Sequence, residues 1–154
     1  MLLVAPPASG KTTFALTYVV PRGYLRASLD DLKTKAKCLR VVKEALAAGK
    51  SVIVDNTSPS DETRALYVNI ARECPRGAVP VRCIMIETDV ELAHHLNAYR
   101  EKKSEGARRH VPTIAYNLYR KNWVEPDADR EGFAAPVLRV PFQPHFGSAA
   151  DREK

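Results

Sequence analysis

The sequence predicts an α/β fold in three layers, a parallel sheet between two layers of helices. Three observations point there. Short apolar runs alternate with segments of helical periodicity along the chain. Those runs are continuous rather than alternating, as strands buried on both faces require. The first of them, Leu2-Leu3-Val4, passes through Ala5-Pro6-Pro7-Ala8-Ser9-Gly10 into Lys11-Thr12 and a helical pattern, a strand–turn–helix order that presents backbone amides at a helix start. Right-handed crossovers between parallel strands place all strand C-termini on one edge, where ligands bind.

Each element follows from local chemistry. Lys11 to Val20 reads as a helix stopped by Pro21 and Gly23, and Tyr24 to Ser28 as a short strand. From Cys38 to Ala48, Leu39, Val42 and Leu46 share a helical face, with Gly49 placed to cap the end. Val52 to Val54 is a buried-strand run. Ser58 reads as the N-cap of the next helix, with Pro59 in its first turn and Leu66, Ile70 and Cys74 on its inner face. Val81 to Ile86 is a further strand. Thr88-Asp89-Val90-Glu91 fits a capping box, so a helix is expected with Leu92, Leu96 and Tyr99 inward. Glu101 to His110 is polar and reads as a mobile loop, Pro112 to Trp123 as the last helix and Val137 to Val140 as the final strand. One domain is expected over residues 1–142, followed by an irregular tail over 143–154.

Composition narrows the function classes. The 154 residues include 24 Lys and Arg against 18 Asp and Glu, a formal charge of +6 that favours anionic partners. No apolar run approaches the roughly 18 residues of a membrane helix, and no membrane partner is expected. The three cysteines, Cys38, Cys74 and Cys83, form no C-x-x-C pair, so they read as small buried hydrophobes rather than a disulfide framework or zinc site. The chain begins almost on its first strand, which is expected of a domain boundary.

The segment Ala5 to Thr12 fits the phosphate-loop pattern G-x-x-x-x-G-K-[ST] except that Ala5 replaces the first glycine. Amides around Ala8, Ser9, Gly10, Lys11, Thr12 and Thr13 are expected to converge on phosphate oxygens. Lys11 would reach the β- and γ-phosphates of ATP, and the Thr12 hydroxyl would bind Mg2+. Val52-Ile53-Val54-Asp55 ends an apolar strand in an acid, placing Asp55 either beside that metal or as a turn cap. Asp30, after the second strand, falls on the same edge. Its carboxylate can align an attacking hydroxyl and take its proton, or cap a helix, and Asp31 competes for the role. Arg100, Lys102, Lys103, Arg108 and Arg109 form a basic stretch that reads equally as a lid over a triphosphate or as a solvated loop.

These residues, taken together, resemble the polynucleotide 5′-hydroxyl kinase family, as in the kinase domain of polynucleotide kinase 3′-phosphatases. The resemblance runs from Leu2 to Phe142. It rests on the phosphate loop, Gly23-Tyr24 with Asp30, Val54-Asp55-Asn56-Thr57 with Pro59, and Arg64-Ala65. Further on it includes Asn97 with Arg100-Glu101 and Val111-Pro112. It is most specific at Tyr119-Arg120-Lys121, Glu125-Pro126, Glu131-Gly132-Phe133 and Val140-Pro141-Phe142. The resemblance implies a kinase-type phosphate-loop NTPase fold with five parallel strands in the order 2-3-1-4-5. It also implies ATP and Mg2+ as cofactors and transfer of the γ-phosphate to a nucleic acid 5′-hydroxyl.

By the same resemblance Asp30 is the general base, Lys11 and Thr12 hold ATP and Mg2+, and Arg100 is a lid arginine on the nucleotide phosphates. Asn56, Thr57, Lys33 and Arg64 are expected on the substrate side. Two positions depart from the family: Leu29 stands where an arginine usually precedes the aspartate, and Ala8 where many relatives have glycine. No D-x-D-G-T motif is present, so 3′-phosphatase activity is not expected of this chain. The resemblance further implies DNA rather than RNA as substrate, a nuclear or other intracellular setting, a companion phosphatase or repair-scaffold module, and a monomer. A zeta-toxin-like small-molecule kinase and a non-catalytic nucleotide-binding module remain open readings.

Overall fold

A computed structural model of the chain describes residues 1–103 and 110–142. Five strands, β1 (Leu2–Val4), β2 (Leu25–Ala27), β3 (Val52–Val54), β4 (Cys83–Glu87) and β5 (Leu138–Pro141), form one sheet in the order β2-β3-β1-β4-β5. All four pairings are parallel. The order implied by the resemblance is the order found.

Side chains alternate across the sheet, as the pleat requires. Leu2 and Val4 join Val52, Val54, Cys83 and Met85 in one core. Leu3, Ile53 and Ile84 point the other way, onto Ala15 and Val19. The first core is covered by α3 (Lys35–Ala47) and α4 (Asp61–Arg72), the second by the helix that follows the loop after β1. All three cysteines are buried and free, as their sequence setting indicates.

The helix after β1 starts at Lys11 and reaches Arg22, but in three geometries. It is α over Lys11–Phe14 (α1), π over Ala15–Val19 and 3-10 over Val20–Arg22, ending at Gly23. Pro21 supplies the reason for the tight last turn, since it has no N–H to continue the ladder. After β2 a single turn, α2 (Leu29–Leu32), is capped by the Ser28 hydroxyl, which accepts from the Asp30 amide.

Several helix details differ from the sequence reading. The cap of α4 is Ser60, whose Oγ accepts from Thr63 N at 3.2 Å; Ser58 lies two residues earlier with φ of 45°. Pro59 therefore precedes the cap rather than opening the helix. The buried face of α4 is Arg64, Tyr67, Val68 and Ala71, with Leu66 and Ile70 at its margins. In α5 (Val90–Lys103) the cap is Asp89, accepting from Leu92 N at 2.8 Å, and the buried residues are Ala93 and Asn97 rather than Leu92, Leu96 and Tyr99.

The helix α5 also extends through Glu101 to Lys103, part of the stretch expected as loop. Beyond α6 (Thr113–Lys121) a further turn, α7 (Ala128–Glu131), precedes β5, so α6 is not the last helix. Arg108, Arg109 and the tail 143–154 lie outside the described residues. Among the described residues no helix is long and apolar enough to cross a membrane.

Candidate active site

The loop between β1 and α1 is wound tightly. Gly10 has φ of 88°, and Ala8 also occupies the left-handed region at 59°, a conformation that costs an alanine about 1 kcal/mol. Ala5 is absent from that region among the described residues, so the missing first glycine carries no backbone penalty there. Ser9 is buried, and its carbonyl accepts from the Thr88 hydroxyl at 3.4 Å, tying the loop to the end of β4.

Lys11 folds back across this loop. Its Nζ donates to Pro6 O at 2.5 Å, and to Ala5 O and Ser9 Oγ at 3.3 Å each. Lys11 is buried, 8% exposed as a residue. Burial lowers its pKa to about 8; the charges of Asp55 and Asp30 oppose that fall, and Arg100 adds to it. The charges of three other candidate residues, Asp55, Asp30 and Arg100, are thus felt at Lys11.

Asp55 closes the other side. Its Oδ2 accepts from the Thr12 hydroxyl at 2.8 Å and from Arg26 Nε at 2.7 Å. Its Oδ1 is buried and accepts no hydrogen bond among the described residues. A buried carboxylate oxygen beside a hydroxyl is a hard-oxygen setting, and Mg2+ is commonly held by one or two protein oxygens with phosphate oxygens and water completing the shell. The donor set at Thr12 and Asp55 therefore fits Mg2+.

Arg26 was not singled out from the sequence. It pairs in register with Ile53, and Asp55 stands two residues beyond Ile53, on the same face of β3. An arginine within a short strand, in a chain where another strand ends in an acid, was the available signal. Its NH1 also holds Asp31 at 2.6 Å. Asp31 is thus drawn to Arg26, while Asp30 beside it is exposed at the edge.

Asn56 fixes the turn that carries Asp30. Its Oδ1 accepts from Leu29 N at 2.8 Å, and its Nδ2 donates to Tyr67 OH at 3.1 Å. Both ends of the amide thus help to position the turn. Thr57 is half-buried, and its carbonyl accepts from Ala5 N at 3.3 Å. Lys33 is exposed, and its Nζ donates to the Asp30 carbonyl at 2.5 Å. Thr13 is exposed on α1.

Arg100 approaches from α5. One of its guanidinium nitrogens donates to Asn97 Oδ1 at 3.4 Å. Asn97 is buried and bonds Val111 in both directions, Nδ2 to the carbonyl at 2.9 Å and Oδ1 from the amide at 3.0 Å. The sequence marked Asn97 without giving it a task; it pins the segment entering α6 onto α5 beside Arg100.

Arg64 does not belong to the site. It is 0% exposed, and its five N–H donors are all used. Two go to Glu131 at 2.7 Å each, the others to the carbonyls of Ser58, Pro59 and Val124 at 3.0–3.1 Å. No donor remains for a substrate, so the expectation of a substrate contact is corrected: Arg64 ties the β3–α4 loop to the α6–α7 connection.

The sheet order, the loop after the first strand and its lysine, threonine and facing aspartate define a kinase-type phosphate-loop protein. The profile of the family described as the AAA domain matches residues 33–126, and the chain belongs to that family. The chain is 45% identical over 126 residues to a putative bifunctional polynucleotide phosphatase/kinase of Acanthamoeba polyphaga mimivirus, covering 82% of this chain and 30% of that protein. It is 39% identical over 143 residues to the bifunctional polynucleotide phosphatase/kinase of Schizosaccharomyces pombe, covering 93% of this chain and 33% of that protein. The chain thus spans about a third of the length of these curated relatives. Among solved structures, a gluconokinase from Sinorhizobium meliloti 1021 superposes with a TM-score of 0.65 at 14% identity, over 93% of this chain and 82% of that one, a likeness of fold.

Proposed function

We propose that this chain transfers the γ-phosphoryl group of ATP to the 5′-hydroxyl at the end of a nucleic acid strand, DNA in preference to RNA. The observation that carries the reading is the phosphate loop itself, with Lys11 folded onto the Pro6 carbonyl at 2.5 Å and the Thr12 hydroxyl 2.8 Å from Asp55 at the end of β3. The likeness to two proteins named polynucleotide phosphatase/kinase supports the acceptor.

Each residue then has a task. Lys11 leaves its loop carbonyls and follows the triphosphate, and the amides around Gly10 line the β-phosphate. Thr12 and Asp55 would hold Mg2+, which when bound neutralises charge on the β- and γ-oxygens. Arg100 faces the charge that spreads onto the transferred group. Asp30 aligns the hydroxyl: the 5′-oxygen bonds to the γ-phosphorus as the bond to the bridging oxygen breaks, and the proton passes to the Asp30 carboxylate. Water exchanges freely at this exposed carboxylate, so the proton has a path to solvent.

The test is transfer of label from the γ-position to an oligonucleotide with a 5′-hydroxyl. Asp30→Ala should lower turnover by about 10²- to 10⁴-fold with ATP binding retained. Turnover within twofold of the parent protein in a folded Asp30→Ala variant would remove Asp30 from its role.

A further inference from the structure

A cleft of about 700 Å³ opens on the same sheet edge, beside the phosphate loop. Pro6 forms one wall, the end of β4 and the start of α5 a second, and Tyr119, Arg120 and Trp123 a third. Pro6 and Thr88 also brace the phosphate loop, while Tyr119, Arg120 and Trp123 have no part in the phosphate or acceptor chemistry described above. We propose that this cleft is a nucleobase-stacking subsite for the acceptor strand, occupied by a base just inward of the 5′ end; the inference rests on the polynucleotide kinase reading.

The place of the cleft is right for such a base. Lys11 bonds the carbonyl of Pro6, so the wall lies one residue contact from the phosphate centre. On the other flank, Val124 N donates to Pro59 O at 2.9 Å, which fastens the residue after Trp123 to the loop that carries Asn56 and Thr57. Asn56 in turn holds the amide of Leu29, next to Asp30. Asp30 follows β2 and the cleft lies at the end of β4, three strands or about 14 Å across the sheet, a span that an acceptor strand with its 5′-hydroxyl at Asp30 can cover.

The chemistry of the lining fits a base and its phosphate. Tyr119 and Trp123 lie with ring centroids 5.3 Å apart, tilted by 37°, Tyr119 buried and Trp123 half-exposed. Trp123 packs at the margin of the core beside Tyr119, and the part of the indole that stays exposed lines the cleft, an aromatic surface of the kind on which any base can stack. Arg120 is exposed and makes no hydrogen bond or ion pair among the described residues, so its guanidinium is available to a backbone phosphate. The two acids of the lining are engaged elsewhere: Glu87 with Arg139 at 3.4 Å, and Asp89 at the cap of α5. The volume suits one nucleotide, not a duplex.

Trp123 is the single tryptophan of the chain, which makes it a direct reporter. Titration with a 5′-hydroxyl trinucleotide should quench its emission, and ATP alone should leave the emission unchanged. Trp123→Ala should raise KM for oligonucleotides about tenfold, with Trp123→Phe restoring most of the loss. A nucleoside 3′-phosphate, too short to reach the cleft, should show the same KM with both proteins. Arg120→Gln, an exposed change that spares folding, should also raise oligonucleotide KM and weaken its salt dependence. Phosphorylation of oligonucleotides with Trp123 emission unmoved and KM unchanged in Trp123→Phe, Trp123→Ala and Arg120→Gln would overturn the subsite alone. Absence of both oligonucleotide binding and transfer would overturn it together with the kinase reading.

Discussion

Removing Glu131 tests the assignment of Arg64 most sharply. In the folded chain the Arg64 guanidinium has no exposure, and Glu131 meets it through both carboxylate oxygens at 2.7 Å, itself 6% exposed at the side chain. Three carbonyls from two loops complete the set. In Glu131→Ala the charge stays buried while two of its five hydrogen bonds are lost. Breaking one partner of such a pair costs about 3–5 kcal/mol. That is a large share of the about 5–15 kcal/mol that holds a typical domain. At about 2–4 °C per kcal/mol for a chain of this size, Tm should fall by about 10 °C.

Urea unfolding followed by circular dichroism gives the free energy, and a thermal scan gives Tm. Arg64→Met with Glu131→Leu should recover much of the loss, because the desolvated charge goes with its partner. A loss under about 1 kcal/mol in Glu131→Ala or Arg64→Ala, coupled to a raised KM for nucleic acid, would refute the structural role and return Arg64 to the substrate side.

Other consequences follow from the same geometry. Lys11 has its pKa lowered to about 8 by burial, so between about pH 8 and the ordinary lysine value the unfolded chain binds the extra proton. Stability should therefore rise with pH across that window, and Lys11→Met should flatten the rise in urea titrations made from pH 7 to 10. ATP draws the ammonium out to its phosphates, so calorimetry at pH 8.5 in two buffers of different ionisation heat should show proton uptake on binding. Equal heats in the two buffers would count against a lysine that answers to phosphate. Arg26→Ala removes the 2.7 Å contact on Asp55 and frees Asp31. A charge-assisted hydrogen bond of about 1.5–3 kcal/mol predicts a roughly 10- to 100-fold loss in kcat and a higher Mg2+ requirement for binding a fluorescent ADP, with Arg26→Lys intermediate. An unchanged Mg2+ titration would limit Arg26 to holding Asp31.

Most of the fold could be read from the sequence, because continuous apolar strands and amphipathic helices each report one local preference. All five strands were placed within a few residues, and the phosphate loop with Lys11 and Thr12 was plain. What escaped were features decided by contacts between distant segments. Ser58 and Ser60 are equally good caps by composition; the chain's turn at Ser58, with φ of 45°, gives the cap to Ser60. The inner face of α4 was misread since Arg64 counts as polar in any periodicity, yet it is fully buried once Glu131 arrives from 67 residues away. Arg26 drew no notice because its partner Asp55 lies across a strand pairing rather than nearby in sequence. Trp123 enters the sequence reading only as the end of a helix, and it becomes a cleft wall when α6, the end of β4 and Pro6 meet.

In the proposed reaction Lys11, Thr12, Asp55, Asp30 and Arg100 together phosphorylate a nucleic acid end. Incubation with γ-labelled ATP and Mg2+, with 5′-hydroxyl DNA, 5′-hydroxyl RNA, a nicked duplex and gluconate in separate reactions at fixed salt, tests it most directly. Label is expected at the 5′ terminus of the oligonucleotides, most on DNA, abolished in Lys11→Ala and in Asp30→Ala. Label on gluconate and none on any 5′-hydroxyl end, or bound ATP with no transfer to any acceptor, would contradict it.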